Sequence, residues 1–327
     1  MRTNSAQVAR AAVALTGVIF LLLACAAPAG ALQASATGQT PVAATTPQAG
    51  GEGSNKLLAR LTGPPSAHAI ADVDEAVPPV DPKAPCSLPE VLQPASNRIR
   101  ELVTNLQQFA AIERIEHREA NKNGDWRAPE IVTFNYVAEL QEIRAGMLHM
   151  EETRNGSTSS DLFPAKLADV GLPGIALIFH PYFVDEYSMS CEGLGQWEGR
   201  PAWQVHFQQR PDRPARLRVY TIQSRSYPVK LKGRAWIATD GYQMLHIETD
   251  LLEPVPQIRL IREHLAIDYE PVRFQKQNVE LWLPDTADVY MNFRGRVYHR
   301  RHSFSNFLLF SVDVDQKIAE PTQPGQK

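Results

Sequence analysis

The chain has 327 residues, 33 basic and 36 acidic side chains, a formal net charge of −3 and three cysteines. Five residues of each sign precede Cys86, leaving 28 basic and 31 acidic in the remainder. That near-balance argues against a general polyanion binder, since nucleic-acid domains carry a strongly basic face.

Residues 1–25 read as an export signal. Arg2 and Arg10 precede an uncharged apolar run from Ala11 to Ala24, too short for an ordinary membrane span. The ending Leu22-Leu23-Ala24-Cys25 resembles a bacterial lipobox, in which Cys25 is lipidated and becomes the new N-terminus. Ordinary cleavage near Ala29 to Ala31, releasing a soluble protein, is the competing reading. Residues 26–85 are rich in Ala, Pro, Gly, Thr and Gln and cannot bury enough apolar surface to offset ordering entropy, so they are expected to form a disordered tether. Residues 86–318 are left as one domain, large enough for a substantial core, with a disordered tail at 319–327.

The domain opens with a helix from Leu88 to about Phe109. Val91, Leu92, Ala95, Ile99, Leu102, Val103 and Leu106 recur at three- and four-residue steps, which makes one apolar stripe. Ser87 and Glu90 have capping-box spacing, and Pro94 threatens the first turns. The pattern then becomes alternating. Val132, Phe134, Tyr136, Ala138 and Leu140 share a face, as do Trp203, Val205 and Phe207. Leu231 to Ile237 and Leu245 to Leu251 flank Thr239-Asp240-Gly241, a hairpin signature. Further strand-like runs are Ile258 to Tyr269, Val279 to Leu283, Val289 to Phe293 and Phe304 to Val312. One-sided alternation of this kind belongs to antiparallel sheets. Between Ser160 and Asp185 the pattern breaks. Asp161 can cap a short helix, Gly171, Pro173 and Gly174 interrupt it, and Ile175 to Phe179 is continuously apolar. Short helices lying against the sheet are expected there, with the glycines letting them move as a lid.

Cys86 and Cys191 remain as a pair in an oxidising compartment, which favours a disulfide over two buried thiols. No nucleophile elbow, His-Glu-x-x-His or phosphate loop is present, and Gly193-Leu194-Gly195 lacks the rest of a dinucleotide fingerprint. His299 and His302 stand three apart on a strand and so point to opposite faces. His206, His246 and His264 carry no ligand spacing, so neither a metal nor a cofactor is expected. Glu151-Glu152 reads as a solvated strand end. Arg210 to Arg218 and Arg294 to Arg301 read as water-facing, or alternatively as a basic patch (Arg294, Arg296, Arg300, Arg301) for an acidic partner or anionic headgroups. Phe134, Tyr136, Trp203, Phe207, Trp236 and Phe304, with Leu177, Ile178 and Phe179 of the insertion, are candidates for lining an apolar cavity under the lid.

The helix Val91 to Leu106, the insertion Asp161 to Phe183 and the hairpin stretch Lys230 to Asp250 together resemble the half-barrel carriers of the bacterial envelope. That superfamily is typified by LolA and LolB and extends to mycobacterial lipid carriers and the sensor domain of RseB. The stretch from Cys191-Glu192-Gly193-Leu194 through Phe304 is also similar to uncharacterised exported proteins of soil acidobacteria. The first resemblance implies an α+β fold: an N-terminal helix, an unclosed antiparallel barrel of about nine to eleven strands, and a helical insertion over its concave face. By analogy it implies a non-enzymatic, periplasmic or outer-membrane-anchored protein that holds an apolar, lipid-like ligand. It would touch the membrane only through a lipid on Cys25, with an envelope protein as a further partner and no nucleic acid. A solid-core scaffold that docks a partner through the basic patch is the alternative.

Overall fold

The computed structural model describes residues 72–144 and 147–310. The export segment with Cys25, residues 26–71 of the expected tether and residues 311–327 lie outside the described residues. One helix, α1 (Leu88–Asn105), precedes thirteen strands: β1 (Gln108–Glu119), β2 (Glu130–Arg144), β3 (Met147–Arg154), β4 (Ala168–Val170), β5 (Tyr187–Trp197), β6 (Arg200–Gln209), β7 (Val219–Ile222), β8 (Arg225–Pro228), β9 (Leu231–Ala238), β10 (Met244–Leu251), β11 (Leu260–Phe274), β12 (Val279–Phe293) and β13 (Arg296–Phe310).

Ten strands form one antiparallel sheet in the order β3-β2-β1-β13-β12-β11-β10-β9-β6-β5, left unclosed with β3 and β5 at its edges. The alternation led to an antiparallel sheet, and the α+β, unclosed half-barrel arrangement that the resemblance implied is the one the strands form. A smaller sheet pairs β4 of the insertion with β7 and β8, which belong to the connection between β6 and β9. The insertion is therefore not simply helical. Its helical parts are 3-10 turns at Ser160–Leu162, Pro164–Lys166, Ile175–Phe179 and Val184–Glu186. Repeated Gly and Pro in this stretch (Pro164, Gly171, Pro173, Gly174) prevent a sustained α-helical ladder.

The helix ends at Asn105, four residues before its expected limit, and Phe109 is instead a buried residue of β1. Ser87 occupies the N-cap but makes no side-chain cap bond, and Pro94 is accommodated inside the helix. Val91, Ala95 and Ile99 are buried in the main core with Ile175, Ala176, Leu177, Ile178 and Phe179. Burying each large side chain of this kind contributes roughly 1.5–3 kcal/mol. The two runs at 279–283 and 289–293 are one strand. Pro284 is tolerated there because the register slips opposite Asp268 and Tyr269, so that Asp285 bulges out of the ladder.

The chain enters the fold earlier than its composition suggested. Val73 is 1% exposed, its N–H donates to Asp250 Oδ2 at 2.9 Å, and its carbonyl accepts from Arg234 Nη1 at 2.6 Å. Lys232 Nζ reaches Asp72 at 2.7 Å, and the Asp81 N–H donates to Leu194 O on edge strand β5 at 2.7 Å. Residues 72–85 thus run as a strap against β5, β9 and β10. Next to the strap, Cys86 is joined to Cys191, their Cα atoms 5.8 Å apart across a separation of 105 residues.

That closed loop sets an upper stabilisation of about 4–5 kcal/mol in the chain-entropy account. Dithiothreitol, or Cys191→Ala, is expected to lower the thermal midpoint by several degrees, measured by circular dichroism. An unchanged midpoint would mean that the bridge does not form or adds nothing.

Candidate functional site

On β1 every second residue faces the concave side: Phe109, Ala111, Glu113, Ile115 and His117. Pairing with β13 sets Glu113 opposite Phe304, Ile115 opposite His302 and His117 opposite Arg300. The concave face therefore carries charges as well as apolar groups, and the insertion answers them. Glu113, Asp169, Arg218, Glu263, Arg300 and His302 are each 0% exposed, with Glu152 and Arg154 also buried. Four carboxylates face three guanidiniums and one imidazole.

Arg154 holds Glu113 through two nitrogens, Nε–Oε2 at 2.6 Å and Nη2–Oε1 at 3.0 Å, a bidentate fork. It also reaches Glu152 at 3.3 Å. His302 stands between Glu113 (Nδ1–Oε1 2.8 Å) and Asp169 (Nε2–Oδ2 3.3 Å). Arg300 donates to the carbonyls of Leu167 and Pro164, both at 2.6 Å, to Asp169 Oδ1 at 3.1 Å and to His117 Nδ1 at 3.2 Å. Arg218, at the start of β7, donates to Glu263 at 3.1 Å and to Tyr220 Oη at 3.2 Å, and Tyr220 donates to Glu263. The Gly171 N–H donates to Glu152 Oε1 at 2.7 Å. The network thus fastens the Pro164–Gly171 part of the insertion, and the Arg218–Tyr220 stretch of the β6–β9 connection, to β1, β3, β11 and β13.

Burial pushes the Asp169 carboxyl up, but His302, Arg300 and Arg218 outweigh it and hold it well below the ordinary carboxylate range. Glu113 is lowered against the same burial penalty by Arg154 and His302. Glu152 is raised, because burial exceeds the help of Arg154 and the Gly171 N–H. His302 is raised by its two carboxylates despite burial. Burial and the neighbouring Arg300 cation drive His117 down to about 3.

These contacts correct three sequence readings. Arg300 is not part of a surface basic patch: alternation turns it to the concave face and its neighbour Arg301 to the convex one, where Arg301 approaches Asp288 at 3.5 Å. Arg294 and Arg296 are exposed at the β12–β13 turn, and Arg296 pairs with Glu119 at 2.9 Å. Arg218 and Glu152 are buried where solvated positions were expected. Gly171, expected as a hinge, is held close: with φ +97° it lets the Leu217 carbonyl pass within 2.0 Å of where a Cβ would stand.

The proposed cavity-lining residues do not converge. Phe207 meets Phe179 edge-on at 5.9 Å within the main core, which also buries Ile178, with Trp203 partly buried at its rim. Phe134 stacks near Phe163 at 5.6 Å in a separate cluster. Tyr136 and Phe304 meet at 5.5 Å in a third. Trp236 packs on the opposite face of β9, against Trp197 and His246. Of the nine, Leu177 lines a groove of about 360 Å³ between edge strand β3 and the insertion. Its walls include Leu140, Met150, Phe183, Leu217 and Val219. Leu140, Leu148 and Met150 follow the period of two on β2 and β3 and were the available signal.

His180, His206, His246, His264 and His299 pair with carboxylates or rings. His246 sits 2.8 Å from Asp268 and stacks on Trp197, His206 sits 3.0 Å from Asp74, and His264 3.3 Å from Asp250. Among the described residues, no group of three or more His, Cys, Asp or Glu is arranged to hold a metal ion, and no helix is long and apolar enough to cross a membrane.

Two outcomes follow from the network. Arg218→Met strands Glu263 in the interior and is expected to cost about 3–5 kcal/mol, most of it recovered when Glu263→Leu is added, as read by denaturant unfolding. The pH dependence has two limbs. Raised His302 and His246 contribute stability that is complete below the unfolded imidazole value of about 6.5 and is lost as pH rises through their folded values. His117 acts in the opposite sense. Its folded value of about 3 means that the unfolded chain takes up the proton first as pH falls below about 6.5, so stability declines. Depressed Asp169 and Glu113 add to the loss only below about pH 4. The thermal midpoint is expected to peak near pH 6.5, with His117→Gln reducing the acid limb, which His180 (driven by burial down to about 4) shares, and His302→Gln reducing the alkaline limb, which His246 shares. A flat profile from about pH 5 to 8 would contradict this assignment.

No family model and no curated protein matches the chain. Solved structures similar to it include the following three. A DUF1329 family protein from Desulfovibrio piger shares 11% identity over 70% of this chain and 94% of its own, with a TM-score of 0.39. A LolA superfamily protein from Nitrosomonas europaea shares 8% over 70% and 96%, TM-score 0.32. A putative outer membrane lipoprotein-sorting protein domain from Vibrio parahaemolyticus shares 10% over 72% and 96%, TM-score 0.34. At such identities the likeness concerns the fold alone.

Proposed function

We propose that this protein is a non-enzymatic binding protein of the bacterial cell envelope that holds an apolar, lipid-like ligand in the groove between β3 and the insertion. The observation that carries this reading is the groove itself. Its volume of about 360 Å³ falls within the usual range for ligand sites, about 300–1,000 Å³, and its walls are mostly Leu, Met, Phe and Val. Met147 and Met150 suit such a site, because an unbranched thioether adapts to ligands of differing shape. Export to the envelope rests on the basic-then-apolar N-terminus, and attachment to a membrane rests on lipidation of Cys25. A protein partner that receives the ligand fits the same reading. The scaffold alternative is weaker, because burial of Arg300 removes the middle of its basic face.

Native mass spectrometry of protein isolated from an envelope extract is expected to show a bound mass of lipid size. The delipidated protein should take up a fluorescent fatty acid with a micromolar dissociation constant. Met150→Trp, which fills the groove, should abolish uptake while leaving the thermal midpoint within a few degrees of the parent. A clean apo mass together with no uptake would overturn the reading.

A further inference from the structure

From the lining of the same groove we infer the ligand class: an amphiphile with one hydrocarbon chain and an anionic head, carboxylate or phosphate, whose head sits at Arg216. This rests on the binding reading above and adds chain number and head charge to it.

The chain number follows from what fills the concave face. A ligand with two or three acyl chains needs the broad sheet surface between β3 and β11, and that surface is already covered. Glu113, Arg154, Asp169, Arg300 and His302 bridge the sheet to the insertion there, each at most 3% exposed. Displacing that part of the insertion would break the Arg300 bonds to Leu167, Pro164 and Asp169 at once. On the far side, Ile175 to Phe179 are packed into the core at 0–3% exposure. The pockets beside α1, of about 150 and 280 Å³, fall below ligand-site volumes of about 300–1,000 Å³, whereas the groove at the β3 edge, about 360 Å³, lies near their lower limit, which suits one chain.

The head charge follows from the polar lining. Arg216 is the one residue of fixed charge lining the groove, flanked by apolar Leu217 and Val219, with His149 the other titratable lining residue. Its side chain is 53% exposed, and its closest carboxylate is Glu186, at 3.5 Å. At 3.5 Å that contact is long for a hydrogen bond, which leaves guanidinium donors of the half-exposed Arg216 open to an anionic head. A guanidinium offers five donors in a fork suited to carboxylate or phosphate. An anionic head at Arg216 places its chain against Leu217, Leu177 and Met150.

The test uses delipidated full-length protein and four probes: palmitate, hexadecanol, a palmitoyl lysophosphatidic acid and a dipalmitoyl phosphatidic acid, each competing with a fluorescent fatty acid. Palmitate and the lysophosphatidic acid should displace the probe about tenfold more strongly than hexadecanol, the worth of one charge-assisted hydrogen-bond pair. The two-chain lipid should not displace it. Arg216→Glu should erase the preference over hexadecanol without lowering hexadecanol binding, and Arg216→Gln should do so in part. Position 216 is exposed, and unchanged thermal midpoints will show that both variants fold. Equal binding of acid and alcohol, insensitive to Arg216, overturns the head assignment. Displacement by the two-chain lipid overturns the chain number. If no probe, hexadecanol included, binds the parent protein, the binding reading itself fails.

Discussion

Arg300 shows most directly what the rest of this structure depends on, a set of charges removed from water that must all be answered. Its guanidinium, wholly buried, meets two carbonyls and Asp169 of the insertion and His117 of β1. None of the eight charged groups in this layer can be left alone, because an isolated ion in the interior costs several kcal/mol. Their mutual geometry therefore constrains both the register of the sheet and the seating of the insertion. Sliding β13 by one residue against β1 would turn Arg300 and His302 to the convex side, bring His299, Arg301 and Ser303 inward in their place, and break the contacts that Glu113 and Asp169 now have. Such an arrangement need not add net stability over a hydrophobic one. What it excludes is the alternative pairing.

The same layer divides the apolar space. On one side lies the large core beneath α1 and Ile175–Phe179, on the other the clusters around Phe109 and Phe163. A half-barrel with a purely apolar concave face could hold a large ligand across its whole width. Here the middle is closed, and space survives at the β3 edge, where Met150 and the apolar residues of β7 leave a gap. On the outer face the strap from Asp72 and the Cys86–Cys191 bridge cover the other edge, β5. An unprotected edge strand invites pairing with other chains, so this covering also has a protective consequence.

Much of the sheet was legible from alternation where the concave face is apolar. β2, β6, β9, β10 and the hairpin at Asp240-Gly241 all follow a period of two with a turn signal between them. β1 was not legible, and the reason is physical. Its inward residues include Glu113 and His117, so a hydrophobic pattern reads as broken at the positions where the buried network lies. Arg218 and Glu152 were likewise read as solvated because a charged side chain looks the same in sequence whether water or an opposite charge surrounds it. The aromatic residues failed as a guide to one cavity because period and size do not say which face of a curved sheet a residue meets across a distance. Phe134, Tyr136 and Phe207 share the concave face yet belong to three separate clusters.

The sequence by itself determined the local preferences: a single amphipathic helix before a run of alternating strands, breakers around an apolar segment at 171–179, and two cysteines available for one bridge. Those follow from periodicity and backbone stereochemistry, which act over a few residues. Tertiary structure alone decided that Glu113, Arg154, Asp169, Arg218, Glu263, Arg300 and His302 meet, and that the remaining opening lies beside β3 with Arg216 at its wall. Residues from 113 to 302 come together only when the strands pair. The cost of burying a charge, unlike helix or strand preference, depends on partners far along the chain.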